Sequence, residues 1–360
     1  MDSKRLEILS AFGYCPFFSS AFAALAAKQP GGDLAPGRVI FQSQEHYRLV
    51  GEHGEVAARP TGRLRRAAEL PAVGDWVAFI PRADGPVPLV HVLPRRTRLS
   101  RKVAGEVHRE QVVAANVDTV FVVMGLDGDY NLRRLERFVV MVAASGARAV
   151  AVLTKADLHG DAPGARLDAQ GAVPGTPVLA VSSLRDEGLE PLQAYLTPGA
   201  TVALVGSSGA GKSTLLNRLC GSPVMRTGAV REGDDKGRHT TTHRQLVPLP
   251  GGGLLIDNPG VREIQLWAGE EDLAGAFEDV EELARGCRFR DCRHGGEPGC
   301  EVRAALKDGR LDGGRFASWQ GLQKELEHLE RRRDVAARRR QDRRLGRFYK
   351  RIQAEKKARR

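Results

Sequence analysis

No apolar run in this chain is long enough to cross a membrane: the best stretch, residues 138–153, is broken by Arg148, and a spanning helix needs roughly 18 to 20 apolar residues in a row. Cysteine is scarce, with five residues in 360, and three of them (Cys287, Cys292, Cys300) crowd together while Cys15 and Cys220 stand apart. An odd, clustered set excludes a disulfide framework and suits a reducing compartment with a metal site. Aromatic residues make up only 6%. No repeat period is visible, and low complexity is confined to the arginine-rich end. A secretion signal is poorly matched as well. Lys4 and Arg5 precede an apolar stretch from Phe17 to Ala27, but Glu7 lies among the early residues, and Ser19 and Ser20 interrupt the stretch. A short helical leader packed on the first domain is the expectation.

What is present describes a globular protein of two or three domains, 42% hydrophobic and 28% charged. The net charge of +11 is local: residues 331–360 hold fifteen Lys and Arg against Asp334, Asp342 and Glu355, which accounts for all of it. Such a segment suggests a polyanion partner, most often nucleic acid, or else a solvated, frayed helix.

Composition shifts divide the chain. Residues 1–35 read as a leader ending in Gln29-Pro30-Gly31-Gly32. Residues 36–95 carry short β-type runs between glycines and prolines, among them Arg38-Val39-Ile40-Phe41, Tyr47-Arg48-Leu49-Val50 and Asp75-Trp76-Val77-Ala78-Phe79-Ile80. Five or so short strands in this span fit an OB-type barrel, whose Phe41, Tyr47 and Arg48 either bind RNA or fill the interior. A basic connector from Arg95 to Arg109 follows. Residues 110–268 then alternate buried strands (117–124, 148–153, 178–181, 201–205 and 254–256) with helices such as Asn131–Ala144. That alternation means an α/β domain with a parallel sheet covered on both faces.

Gly206-Ser207-Ser208-Gly209-Ala210-Gly211-Lys212-Ser213 is a complete P-loop between the strand Thr201–Val205 and a helix opening Thr214-Leu215. Its backbone N–H groups curl around phosphate oxygens, Lys212 bridges the β- and γ-phosphates, and Ser213 ligates Mg²⁺. Downstream, Asp257-Asn258-Pro259-Gly260 ends a buried strand, placing Asp257 to support the Mg²⁺ shell and the Gly260 N–H to meet a γ-phosphate. Between them a Gly-rich, charged segment ends His239-Thr240-Thr241-Thr242-His243. It reads as a loop ordered by Mg²⁺ and γ-phosphate, with Thr241 completing the metal shell, or as a plain surface loop. Earlier in the chain, Thr154-Lys155-Ala156-Asp157 resembles the guanine-reading Asn/Thr-Lys-x-Asp motif of GTPases, and Val181-Ser182-Ser183-Leu184 resembles the loop whose backbone N–H reaches guanine O6. Thr154 stands where most GTPases carry Asn, which leaves an ATPase as an open reading; a zinc and OB-fold RNA-binding module whose nucleotide site is only a switch is another. The order is rotated, since the base motif precedes the phosphate loop. That is the mark of a circular permutation.

Residues 269–330 contain Cys287-x₄-Cys292-x-His294-x₅-Cys300, with Gly295, Gly296 and Gly299 for turns. Three thiolates and one imidazole without a carboxylate make a closed tetrahedral set for one structural Zn²⁺.

Rotated motif order, a preceding barrel with Val73-Gly74-Asp75-Trp76-Val77, and the zinc segment followed by basic helix resemble the RsgA (YjeQ) family over roughly residues 36–345. The resemblance implies an N-terminal OB barrel, a circularly permuted P-loop GTPase domain and a C-terminal helical zinc domain. It also implies a cytoplasmic enzyme that hydrolyses GTP to GDP, stimulated by the 30S particle late in small-subunit maturation. Barrel and zinc domain would contact 16S rRNA, and a monomer is the default. Val261 occupies the position where Ras-like enzymes place a water-orienting Gln. By resemblance His239 takes that part, with His243 second.

Overall fold

The computed structural model describes residues 3–28, 33–43, 46–67, 70–102, 110–221, 244–257, 277–324 and 327. His239, Thr241, His243, Gly260 and the basic segment 331–360 lie outside them. The chain divides into two compact units, Met1–Arg101 with Val112–Gln265, and Lys102–Gln111 with Leu266–Arg360.

In the first unit, two helices, Ser3–Ala11 and Pro16–Ala27, precede five strands: β1 (Ala35–Ser43), β2 (His46–Gly51), β3 (Gly54–Pro60), β4 (Trp76–Phe79) and β5 (Val87–Val92). They pair in the order β1-β2-β3-β5-β4, and β4 returns to β1, closing a barrel in which β3 and β5 run parallel. Closure leaves no free edge. Val39, Leu49, Val77 and Leu89 are fully buried in it; burial alternates along β3 and the start of β2, whereas every residue of β4 is buried. Tyr47 is interior too, its hydroxyl 3.3 Å from Pro71 O, whereas Arg48 is exposed over the Phe41 ring at 4.8 Å. The leader helices cap Trp76, which has no exposed area and lies 4.7 Å from the Tyr14 ring and 5.7 Å from Phe18.

The supposed basic connector holds a two-stranded sheet, β6 (Arg98–Lys102) with β7 (Glu110–Ala115). Then come β8 (Thr119–Gly125), β9 (Arg148–Thr154), β10 (Val178–Ala180), β11 (Thr201–Val205), β12 (Arg244–Pro248) and β13 (Leu254–Asp257), ordered β10-β9-β8-β11-β13-β12. All neighbours are parallel except β12 with β13. β12 also pairs with β1, so barrel and sheet are continuous. Every residue of β8 and β11 is buried, which accounts for their uninterrupted apolar sequence. Local signals set the helices between: Asn131 Oδ1 accepts the Arg134 N–H at 3.0 Å to start Leu132–Ala144, and Asp161 does the same for Ala162–Ala172 with Pro163 in its first turn.

One buried side chain gathers these parts. Arg38, 2% exposed, donates Nε to Gly74 O at 3.2 Å, and Nη2 to Asn116 O at 3.1 Å and Thr201 Oγ1 at 2.9 Å. Its Nη1 reaches Phe12 O of the leader at 2.5 Å. Burial pushes its pKa down to about 10, so it stays charged at neutral pH. Gly74 has φ +90°, and a Cβ there would lie 2.1 Å from Ala115 O. Only glycine allows this approach. The adjoining Asp75 is buried and bidentate to Arg95 at 2.7 and 2.6 Å. The motif Val73-Gly74-Asp75-Trp76-Val77 is therefore a packing joint.

The second unit contains helices Glu278–Arg285 and Glu301–Asp308 and a helical segment at 313–324. Phe277, Val280, Val302, Ala305, Phe316 and Trp319 are buried. Arg315 joins Asp279 through two bonds of 2.6 and 2.7 Å and lies 4.6 Å above the Phe277 ring.

Candidate functional site

β11 sits in the middle of the parallel sheet, and the loops leaving the C-terminal ends of β8, β9 and β11 gather there, where α/β sheets bind ligands. Gly206 leaves β11 with φ +146°, and a Cβ on it would stand 2.0 Å from Val123 O. The phosphate loop can thus lie against β8 only with glycine at this point. Gly209 and Gly211 also have positive φ, and Gly211 caps the helix Lys212–Cys220. Ala210 is fully buried beneath the loop, and Lys212 Nζ folds back onto Gly206 O at 2.7 Å and onto Ser207 O. Ser208 and Gly209 form the exposed outer turn just after Ser207, and Ser213 and Thr214 stand on the first helical turn. A helix N-terminus, a wrapped backbone and one ammonium group make a phosphate cradle.

At the end of β9 the structure departs from expectation. Thr154, 2% exposed, directs its hydroxyl to Ala210 O at 2.6 Å, with Met124 O at 3.3 Å. It braces the base loop to the phosphate loop and has no donor left for a base. Lys155 adopts φ +59°, and its Nζ is held by Asp127 Oδ2. Burial works to raise the Asp127 carboxyl, but the bond from Lys155 holds it below its ordinary range. Asp127 was not legible as a site residue. The one available signal is a carboxylate just past the end of a buried strand.

Asp157 accepts the Ser182 hydroxyl at 2.6 Å, and this bond lowers its pKa. It is an ionised acceptor at neutral pH, as the two N–H groups of a guanine edge require. Ser182 is fully buried and its Oγ also accepts Arg185 N–H at 3.1 Å; Ser183 follows, 7% exposed. The base motif and its companion loop are thus joined side chain to side chain. Asp257 ends β13, paired with Gln245 of β12, on the strand next to β11.

In the second unit, the donor atoms of Cys287, Cys292, His294 and Cys300 lie within 4.8 Å of one another. His294 Nδ1 is 3.6 Å from Cys287 Sγ and 3.4 Å from Cys300 Sγ. The imidazole turns in from a backbone with φ +57° and packs on Trp319 at 5.6 Å. Four soft and borderline donors converging from turns fit a tetrahedral metal ion.

A P-loop at the centre of a parallel sheet, with its base-reading strand earlier in the chain, defines a circularly permuted GTPase fold. The chain belongs to the RsgA GTPase family. The family model for the RsgA GTPase matches residues 92–267. The small ribosomal subunit biogenesis GTPase RsgA of Opitutus terrae is 48% identical over 350 residues, covering 93% of this chain and 94% of that one. Its namesake RsgA 2 of Lactiplantibacillus plantarum is 44% identical over 317 residues, covering 86% and 88%. Among solved structures, YjeQ from Thermotoga maritima superimposes with a TM-score of 0.63 at 25% identity, over 81% of this chain and 98% of that one. YloQ, described as a circularly permuted GTPase, shares the fold with a TM-score of 0.59 at 24% identity, over 83% and 97%.

Proposed function

We propose that this protein hydrolyses GTP to GDP and phosphate on the small ribosomal subunit, in the cytoplasm, late in that particle's maturation, and contacts 16S rRNA through its barrel and metal-binding segment. The observation that carries this reading is the Asp157–Ser182 pair beside the phosphate loop, which presents an ionised acceptor to a base edge with two adjacent donors. Guanine offers N1–H and N2–H₂ together; adenine does not, and a base without those donors would cover the carboxylate without replacing its water. The names of the relatives point to the same particle.

Catalysis is positioning and charge stabilisation around a γ-phosphoryl group attacked by water. In this reading residues 206–211 and the Ser213 and Thr214 amides cradle the phosphates, and Lys212 leaves its loop carbonyls to meet the β- and γ-oxygens. Lys155 lies along the base plane. Ser213 and Thr241, supported by Asp257, would hold Mg²⁺, which neutralises charge on the leaving oxygens. The Gly260 N–H meets the γ-phosphate, and His239 positions the water. Cys287, Cys292, His294 and Cys300 would hold one Zn²⁺ that shapes the second unit and takes no part in the reaction. The test is GTP and ATP turnover with and without isolated 30S subunits. GTP-specific stimulation is expected, with His239→Ala losing the stimulated rate but still binding GTP. Equal, unstimulated turnover of both nucleotides would refute the reading.

A further inference from the structure

The loop Ser182–Glu187 is closed on itself: Ser182 N–H donates to Glu187 O at 2.9 Å, and Glu187 N–H returns to Ser182 O at 3.1 Å. Its near end is fixed by the Asp157–Ser182 bond. Its tip has no such packing. Leu184 is 77% exposed, and the buried Ser183 Oγ has no partner among the described residues. What reaches the tip is Arg218, from the helix that begins at the phosphate loop. Its Nε donates to Ser183 O at 3.0 Å, and its Nη2 pairs with Asp186 Oδ2 at 2.8 Å. Asp186 and Arg218 are both about half exposed (56% and 46%), so the ion pair is screened and the bond to the carbonyl is the stronger constraint.

We infer that Arg218 is a positioning residue for guanine recognition: by holding the Ser183 carbonyl it fixes the peptide planes whose N–H groups face guanine O6, and so ties the O6 contact to the phosphate-binding helix. This rests on the reading of residues 181–184 as the O6 loop. The sequence gives no hint of it, because an arginine late in a helix is ordinarily a solvated charge.

A role confined to O6 is separable from a general structural one by changing the ligand. Affinities for GTP and for 6-thio-GTP, in which sulfur replaces O6 while N1–H and N2–H₂ remain, are measured on the wild type and on Arg218→Ala. Wild type is expected to prefer GTP. In Arg218→Ala, GTP affinity should fall about fivefold, the worth of one hydrogen bond, while 6-thio-GTP affinity changes by less than about twofold. Retained 6-thio-GTP binding also reports that the phosphate site is intact. Equal losses for both nucleotides, or no loss for either, would overturn the assignment of Arg218. A wild type without preference for GTP would overturn the O6 reading of the loop as well.

Discussion

At the nucleotide site, every loop described leaves a strand that the sheet holds: β8 and β11 are buried at each residue, and Gly206 lets the phosphate loop touch β8 directly. At the Cys/His centre the ligands stand on turns. Residues 286–300 contain no helix or strand, and only His294 and Cys300 among them are buried. The first site takes its geometry from apolar strand packing and would keep it without ligand. Residues 286–300 bury little of their own, and a metal ion on the four donors would fix their geometry.

The largest test of that contrast is metal removal. One equivalent of zinc is expected by elemental analysis. Chelation, or Cys287→Ser, should abolish amide hydrogen-exchange protection across residues 277–324 while residues 201–220 keep theirs and GTP still binds. Zinc in small Cys/His modules contributes on the order of 10 kcal/mol of folding free energy, so the loss should be complete. Unchanged protection after metal removal would show that the Phe277, Phe316 and Trp319 cluster holds the unit alone, and the contrast would collapse.

A smaller effect should come from within the first unit. Arg38→Met keeps apolar bulk against Trp76, 5.9 Å from the guanidinium, but removes the donors to Phe12 O, Gly74 O, Asn116 O and Thr201 Oγ1. Phe12 O and Asn116 O lose this donor while Gly74 O keeps the Asn116 amide, so about 2 kcal/mol of destabilisation is expected, measured by urea unfolding. The leader helix should lose exchange protection first. A variant as stable as the wild type would mean that apolar contact alone carries the joint.

The joint also shows what a sequence can and cannot disclose. The P-loop, the Thr-Lys-x-Asp run and the Cys/His spacing were legible because each chemistry needs residue types a few positions apart. The barrel and the central strands were legible from their short or continuous apolar runs. Arg38 was not, since its partners lie 26 to 163 residues away and nothing local marks it as buried. Arg98–Lys102 and Arg244–Pro248 were missed as strands because the first is charged and the second is a short mixed run lying between β13 and β1, so that pairing, not composition, makes them extended. Thr154 stood out only as the residue in the usual Asn position, and the 2.6 Å bond to Ala210 O shows that its hydroxyl braces the phosphate loop.

The smallest effect concerns the acceptor itself. Asp157 titrates low because Ser182 donates to its ionised form. The sign follows directly: a lowered carboxyl favours the folded arrangement fully above the ordinary Asp range, and that contribution fades as pH falls through the lowered midpoint. Ser182→Ala removes the donor, so the midpoint should climb toward the ordinary value of about 3.9. Carbon NMR of the Asp157 carboxyl through an acid titration reads this without reference to turnover. GTP affinity at neutral pH should fall only about threefold, because the carboxylate remains ionised there and loses orientation, not charge. An unmoved midpoint would mean that the rest of the loop, and not Ser182, sets the charge of the Asp157 carboxylate. The strand-held site would then tolerate the loss of a partner that its geometry marks as central.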